Sequence, residues 1–140
     1  MAVTGLEHVL LLSDEIDATR DFYCRTLGLV EGARPALAFP GYWLYAGGVP
    51  CVHIADRTSY LEHAGSLGLP ARPDVPVLVD HLAFTAPDYA QALERLERDG
   101  IEAIRNAVPA AGLRQLFFDG PDGVRLEVNV FEAAAATAAR

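Results

Sequence analysis

Apolar and polar positions alternate along this 140-residue chain in one pattern that is met twice. "GLEHVLLL" at residues 5–12 reads as a mostly apolar strand. It is followed by "SDEIDATRDFYCRTLGL", where Ile16, Phe22, Tyr23 and Leu27 recur at helical spacing. Ser13 or Asp14 is placed to cap that helix, and Gly28 to stop it. Strand-like runs follow at 29–35, 37–46 and 49–55, the last two joined by a Gly47-Gly48 turn. The second half opens on "VLVDHLAFT" and continues into a helix in "APDYAQALERLERDGI", started near Pro87-Asp88 and ended by Gly100. Strand-like runs recur at 101–105, 113–119 and 124–131, with the turn "DGPDG" before the last.

Both halves therefore read as strand, helix and three strands, which predicts an α+β fold of two βαβββ modules. Module one is expected at about 4–56, module two at about 78–131, and a connector with a short helix at its start at 57–77. The tail at 132–140, rich in alanine, reads as a frayed helical end. A chain of this length is expected to form a single domain spanning 1–140.

Each first strand carries one histidine, His8 and His81, 73 positions apart. Aligning "VRLEVNV" with "VPCVHIA" sets Glu127 opposite His53 at an offset of 74, the change that one loop insertion gives. Strands alternate faces, so Arg125, Glu127 and Asn129 share one side and Leu126, Val128 and Val130 the other. A lone histidine on an apolar strand is more often a satisfied core residue than a ligand. Two histidines and two further polar groups at equivalent places in a repeat are harder to assign to packing. A carboxylate buried among strands costs several kcal/mol unless it is paired or bound to a cation. A divalent metal held by His8, His81, Glu127 and His53 resolves both problems. Imidazole and carboxylate without thiolate suit Fe, Mn, Ni, Co or Zn, and two His with one Glu is the composition of non-heme iron sites.

Composition narrows the partners. A net charge of -8 with no basic stripe excludes a phosphate-backbone partner as the default reading. The absence of a roughly 20-residue apolar run, and of a signal-peptide layout at the start, predicts a cytoplasmic protein that does not engage membrane. All 11 basic residues are arginine, which rules out lysine Schiff-base chemistry. Cys24 and Cys51 form no paired motif and read as ordinary thiols. Cys51, two residues before His53 on the same strand face, reads as a wall residue.

"LEHVLLL", "ATRDFYCRTLGL", "VDHLAFT" and "LFFDGPDGVRLEVN" together resemble the vicinal oxygen chelate superfamily, which includes glyoxalases, extradiol dioxygenases, fosfomycin-resistance thiol transferases and bleomycin-binding proteins. The resemblance implies a rolled, U-shaped mixed sheet with helices outside and a metal on its concave face. Carried over, the ligands are His8, His81 and Glu127, with His53 at the fourth place, where glyoxalase I has a glutamate. Glu127 and His53 are the candidates for proton transfer. The implied function is metal-dependent chemistry on a small substrate with two adjacent oxygens, of extradiol-dioxygenase or glyoxalase-like lyase/isomerase type, in a homodimer. The alternatives are a non-catalytic antibiotic-binding protein of the bleomycin type, and a fosfomycin-type thiol transferase.

Overall fold

The structure, a computed structural model, describes residues 5–69 and 81–132. The chain divides into two compact units, residues 1–75 and 76–140. Each described unit contains a four-stranded mixed sheet, and the chain is α+β, with three α-helices among the described residues.

The first unit runs β1 (Val9–Ser13), α1 (Ile16–Leu27), β2 (Val30–Gly32), β3 (Gly41–Ala46), β4 (Val49–Asp56) and α2 (Arg57–Ser66). Its sheet order is β1-β4-β3-β2, with β1 parallel to β4 and the other pairs antiparallel. The second unit runs β5 (His81–Thr85), α3 (Tyr89–Arg98), β6 (Ile104–Val108), β7 (Leu113–Asp119) and β8 (Arg125–Phe131), in the matching order β5-β8-β7-β6. Parallel pairing of first and last strands follows from the helix between them, because a parallel pair needs a crossover longer than a hairpin.

Alternation sorts each sheet into two faces. In the first unit Leu44, Val52 and Ile54 are buried, and α1 lies against β3 and β4 while α2 lies against β4 and β1. In the second, Leu116, Phe118, Leu126, Val128 and Val130 are buried. Burying an aliphatic side chain of this size contributes about 1.5–3 kcal/mol, so these apolar faces supply the main cohesion of each unit. The opposite faces are left to carry polar chemistry.

The local signals mostly hold. Gly28 closes α1 in the left-handed region (φ 74), where a side chain would be strained. Gly47 and Gly48 both take positive φ in the β3–β4 hairpin. Asp88 caps α3 by accepting from the Gln91 amide.

Three expectations are corrected. The N-cap of α1 is Glu15, with no side-chain cap bond; Ser13 instead ends β1, its hydroxyl accepting from the Glu15 amide and bonding the Thr19 hydroxyl at 2.8 Å. Asp14 pairs with Arg57 at 3.0 Å. The strand expected over 37–46 starts only at Gly41, because residues 33–40, with Pro35 and Pro40, supply no ladder there. The strand expected over 101–105 lies three residues later, at Ile104–Val108. The tail at 133–140, and the "VLVD" that precedes His81, lie outside the described residues.

Candidate metal and proton-transfer site

The strand registers test the proposed repeat directly. Leu10, two residues after His8, pairs with His53, and Ala83, two residues after His81, pairs with Glu127. Trp43 faces His53 across the next ladder as Phe117 faces Glu127. His53 and Glu127 therefore hold equivalent positions in the two sheets. The net shift between halves is not one insertion. Gly32 and Ile104 are equivalent across β2 and β6, an offset of 72, while Trp43 and Phe117 are 74 apart. The second unit is one residue shorter before its second strand and two longer after it.

In the first unit His53 is sandwiched between two rings. Its centroid lies 3.8 Å from His8 and 4.1 Å from Trp43, with the planes within 14° and 8° of parallel. Its Nε2 lies 3.0 Å from the Pro50 carbonyl oxygen. A carbonyl only accepts, so Nε2 carries the hydrogen and the lone pair sits on Nδ1. Burial, then the neighbouring His8, holds the His53 pKa below its usual 6.5, which keeps the ring neutral at pH 7. His8 sits one residue before β1 rather than within it. Its Nδ1 is 3.0 Å from the Glu7 carboxylate, which likewise only accepts, leaving Nε2 as its lone-pair nitrogen when neutral.

In the second unit His81, the first residue of β5, places Nε2 2.8 Å from Glu127 Oε2. Glu127 is only 6% exposed despite its charge. Its other oxygen accepts from Gln115 Nε2 at 2.5 Å. Gln115 also donates to Asn129 Oδ1 at 3.1 Å, and its own Oε1 accepts from Asn106 Nδ2 at 2.7 Å. Sequence reasoning set Arg125 and Asn129 on the face of Glu127 and missed Gln115. The alternation in "LRQLFFD" and the hairpin at 119–123 set Gln115 opposite Asn129, one diagonal step from Glu127, which was the signal available.

Each unit thus brings two of the four predicted residues together: His8 with His53, and His81 with Glu127. Within neither unit do three or more His, Cys, Asp or Glu side chains form a metal-binding cluster among the described residues. The donor set nonetheless suits a divalent cation. Adjacent ligands with bonds of about 2.1 Å lie about 3 Å apart around an octahedral ion, close to the His81–Glu127 separation. His8 and His53 each direct one ring nitrogen at an oxygen acceptor, the partner that fixes the tautomer of a metal-binding imidazole.

Other aromatic and thiol side chains have local roles. Tyr42 donates to Asp17 and lies under Arg20, tying β3 to α1. Tyr45 donates to the Ala33 carbonyl. His63 lies 5.3 Å from Phe39, tilted on its ring. Both cysteines are free thiols.

A profile of the Glyoxalase/Bleomycin resistance protein/Dioxygenase superfamily matches residues 5–128. The chain belongs to that superfamily. A curated relative, "Glyoxylase I 4" of Arabidopsis thaliana, is 30% identical over 129 residues, 90% of this chain and 70% of that protein. Among solved structures, a lactoylglutathione lyase from Agrobacterium tumefaciens covers 93% of this chain and 96% of its own at a TM-score of 0.65 and 20% identity. A genomically encoded fosfomycin resistance protein from Listeria monocytogenes covers 96% and 98% at a TM-score of 0.65 and 17% identity. These two likenesses establish the shared fold. No helix among the described residues is long and apolar enough to cross a membrane.

Proposed function

We propose that this chain is a metal-dependent enzyme of the superfamily. It holds one divalent transition metal through His81 and Glu127, with His8 as a further ligand and His53 on or beside the ion. The first-unit histidines come from the same chain or from a second copy of it. The substrate is a small molecule that presents two adjacent oxygens. The observation that carries this reading is the buried Glu127 carboxylate with Oε2 set against the His81 ring nitrogen. Hydrogen bonds and a positive partner offset the desolvation of such a carboxylate, and a metal beside His81 would supply the charge.

When bound, the metal supplies a Lewis acid that draws charge from a coordinated substrate oxygen. Glu127 contributes charge, and the hydrogen bond on Oε1 limits its motion. His53 contributes a neutral imidazole whose Nδ1 lone pair can accept a proton, a general base whose ordinary pKa lies near neutrality. A neutral base beside two adjacent oxygens suits glyoxalase-like proton transfer, and the relative named a glyoxylase points the same way. The His, His and Glu donor composition supports a second reading, ring-opening dioxygenation on iron.

Elemental analysis of protein purified without chelator is the primary test, with about one metal ion per chain expected. Trp43 is the chain's single tryptophan and stacks on His53, so its emission should change as metal is added back. Anaerobic turnover of a hemithioacetal selects the lyase/isomerase reading, and oxygen uptake with catechols by iron-loaded protein selects the dioxygenase. Protein that takes up no metal when supplied would refute the enzyme reading and leave an antibiotic-binding role.

A further inference from the structure

We propose that Gln115 is a positioning residue that makes Glu127 a one-oxygen ligand; this rests on the metal reading above. Gln115 holds Oε1 of the carboxylate through its amide N–H, while Oε2 faces His81. A donor on Oε1 competes with an ion for the lone pairs of that oxygen, which leaves Oε2, beside the His81 ring nitrogen, as the oxygen offered to the ion.

The direction of the Gln115 amide is set by its neighbours. Its oxygen accepts from Asn106 on β6, and its nitrogen donates both to Glu127 and to Asn129 on β8. Turned over, it would set its carbonyl against the carboxylate and its NH2 against the Asn106 amide nitrogen, losing all three bonds. Asn106 and Gln115 are direct register partners, as are Gln115 and Asn129, so the three amides cross three strands as one row. The row is confined to the unit that carries the carboxylate. At the positions of the first sheet equivalent to Gln115 and Asn129 stand Gly41 and Ala55, which offer no side-chain donor; Arg34, at the place of Asn106, donates to the Phe39 carbonyl, and His53 is held by stacked rings and the Pro50 carbonyl instead.

Partners that orient a metal ligand typically change metal affinity 10–100-fold when removed. The test is zinc titration calorimetry on chelator-stripped protein, with thermal unfolding of the metal-free form measured in parallel. Gln115→Met keeps the side chain's length and removes its donors. It should retain one zinc per chain with Kd weakened about 10-fold or more. Asn106→Ala, at an exposed position that only orients Gln115, should weaken zinc in the same direction by less, and it serves as the second variant should Gln115→Met fail to fold. Zinc affinity at the wild-type value in whichever variant folds, whatever its unfolding temperature, overturns the inference. His81→Ala separates the two levels. Loss of zinc in His81→Ala with unchanged binding in Gln115→Met removes only the role of Gln115. Absence of zinc binding in the wild type, or indifference to His81→Ala, removes the metal reading and this inference with it.

Discussion

At the scale of single residues, His53 and Glu127 occupy equivalent strand positions yet are handled by opposite means. The carboxylate gathers hydrogen-bonding and ring-nitrogen partners, whereas the imidazole is kept neutral by burial and by the adjacent His8. A histidine whose folded-state pKa lies below its unfolded value makes the folded form bind fewer protons than the unfolded chain. Stability is then unaffected above about pH 6.5 and declines as pH falls from there through the folded pKa. Urea unfolding of metal-free protein should accordingly give midpoints that fall between neutral pH and pH 5, and His53→Gln should flatten that fall. An identical decline in the variant would show that His53 is not its source. The ring's place beside His8 was legible as a repeat of unusual residues, but its sandwich against Trp43 was not. Alternation puts Trp43 on that sheet face, and only the ladder register puts it directly opposite His53.

At the scale of elements, helix ends and strand ends are joined. The last residue of β1, Ser13, pairs in register with Asp56, the last residue of β4, and each serves the helix that follows it. Asp56 caps α2 by accepting from the Ser59 amide, a bond that holds its pKa below the usual carboxylate value. Ser13 is fully buried and links the Glu15 amide to the Thr19 hydroxyl at the start of α1. Removing a hydroxyl that satisfies one buried and one part-buried partner costs about 1–3 kcal/mol. Ser13→Ala should therefore lower the unfolding free energy by about that amount, read from denaturant midpoints at an unchanged slope. A change below a few tenths of a kcal/mol would mean that water replaces the hydroxyl. The helices themselves were legible from apolar spacing and from Gly28, Asp88 and Gly100. The cap of α1 was not, because Ser13 and Asp14 have the capping chemistry and only the path of β1 leaves Glu15, which makes no side-chain cap bond, at the helix start.

At the scale of the whole molecule, each unit supplies two of the four residues proposed to hold the metal. We expect the protein to be a homodimer, with light scattering giving about 30 kDa, twice the 15.0 kDa chain mass. Ile104, Val108 and Phe131 are large apolar residues left exposed at the edge strand β6 and at the end of β8, the kind of surface that a second copy covers. A mass near 15 kDa at working concentration refutes the dimer. Mixing His8→Ala with His81→Ala protein then asks where the ligands come from. Recovered zinc binding means that a first unit of one copy completes the second unit of another, and no recovery means that one chain supplies all of them.

What the sequence by itself determined is what periodicity and composition carry. They set the tandem βαβββ order, the α+β class, the apolar face of each sheet, and the equivalence of His8 with His81 and of His53 with Glu127. Those features depend on spacing along the chain, and the chain records spacing directly. The tertiary structure alone decided which nitrogen of His53 bears its hydrogen, which ring lies on it, and which amide holds Glu127. It also split the one-residue shift between the halves into a deletion and a longer insertion. Each of these depends on the register of strands that are distant in sequence. A register is set by the sum of loop lengths and cross-strand contacts, and no local pattern contains that sum.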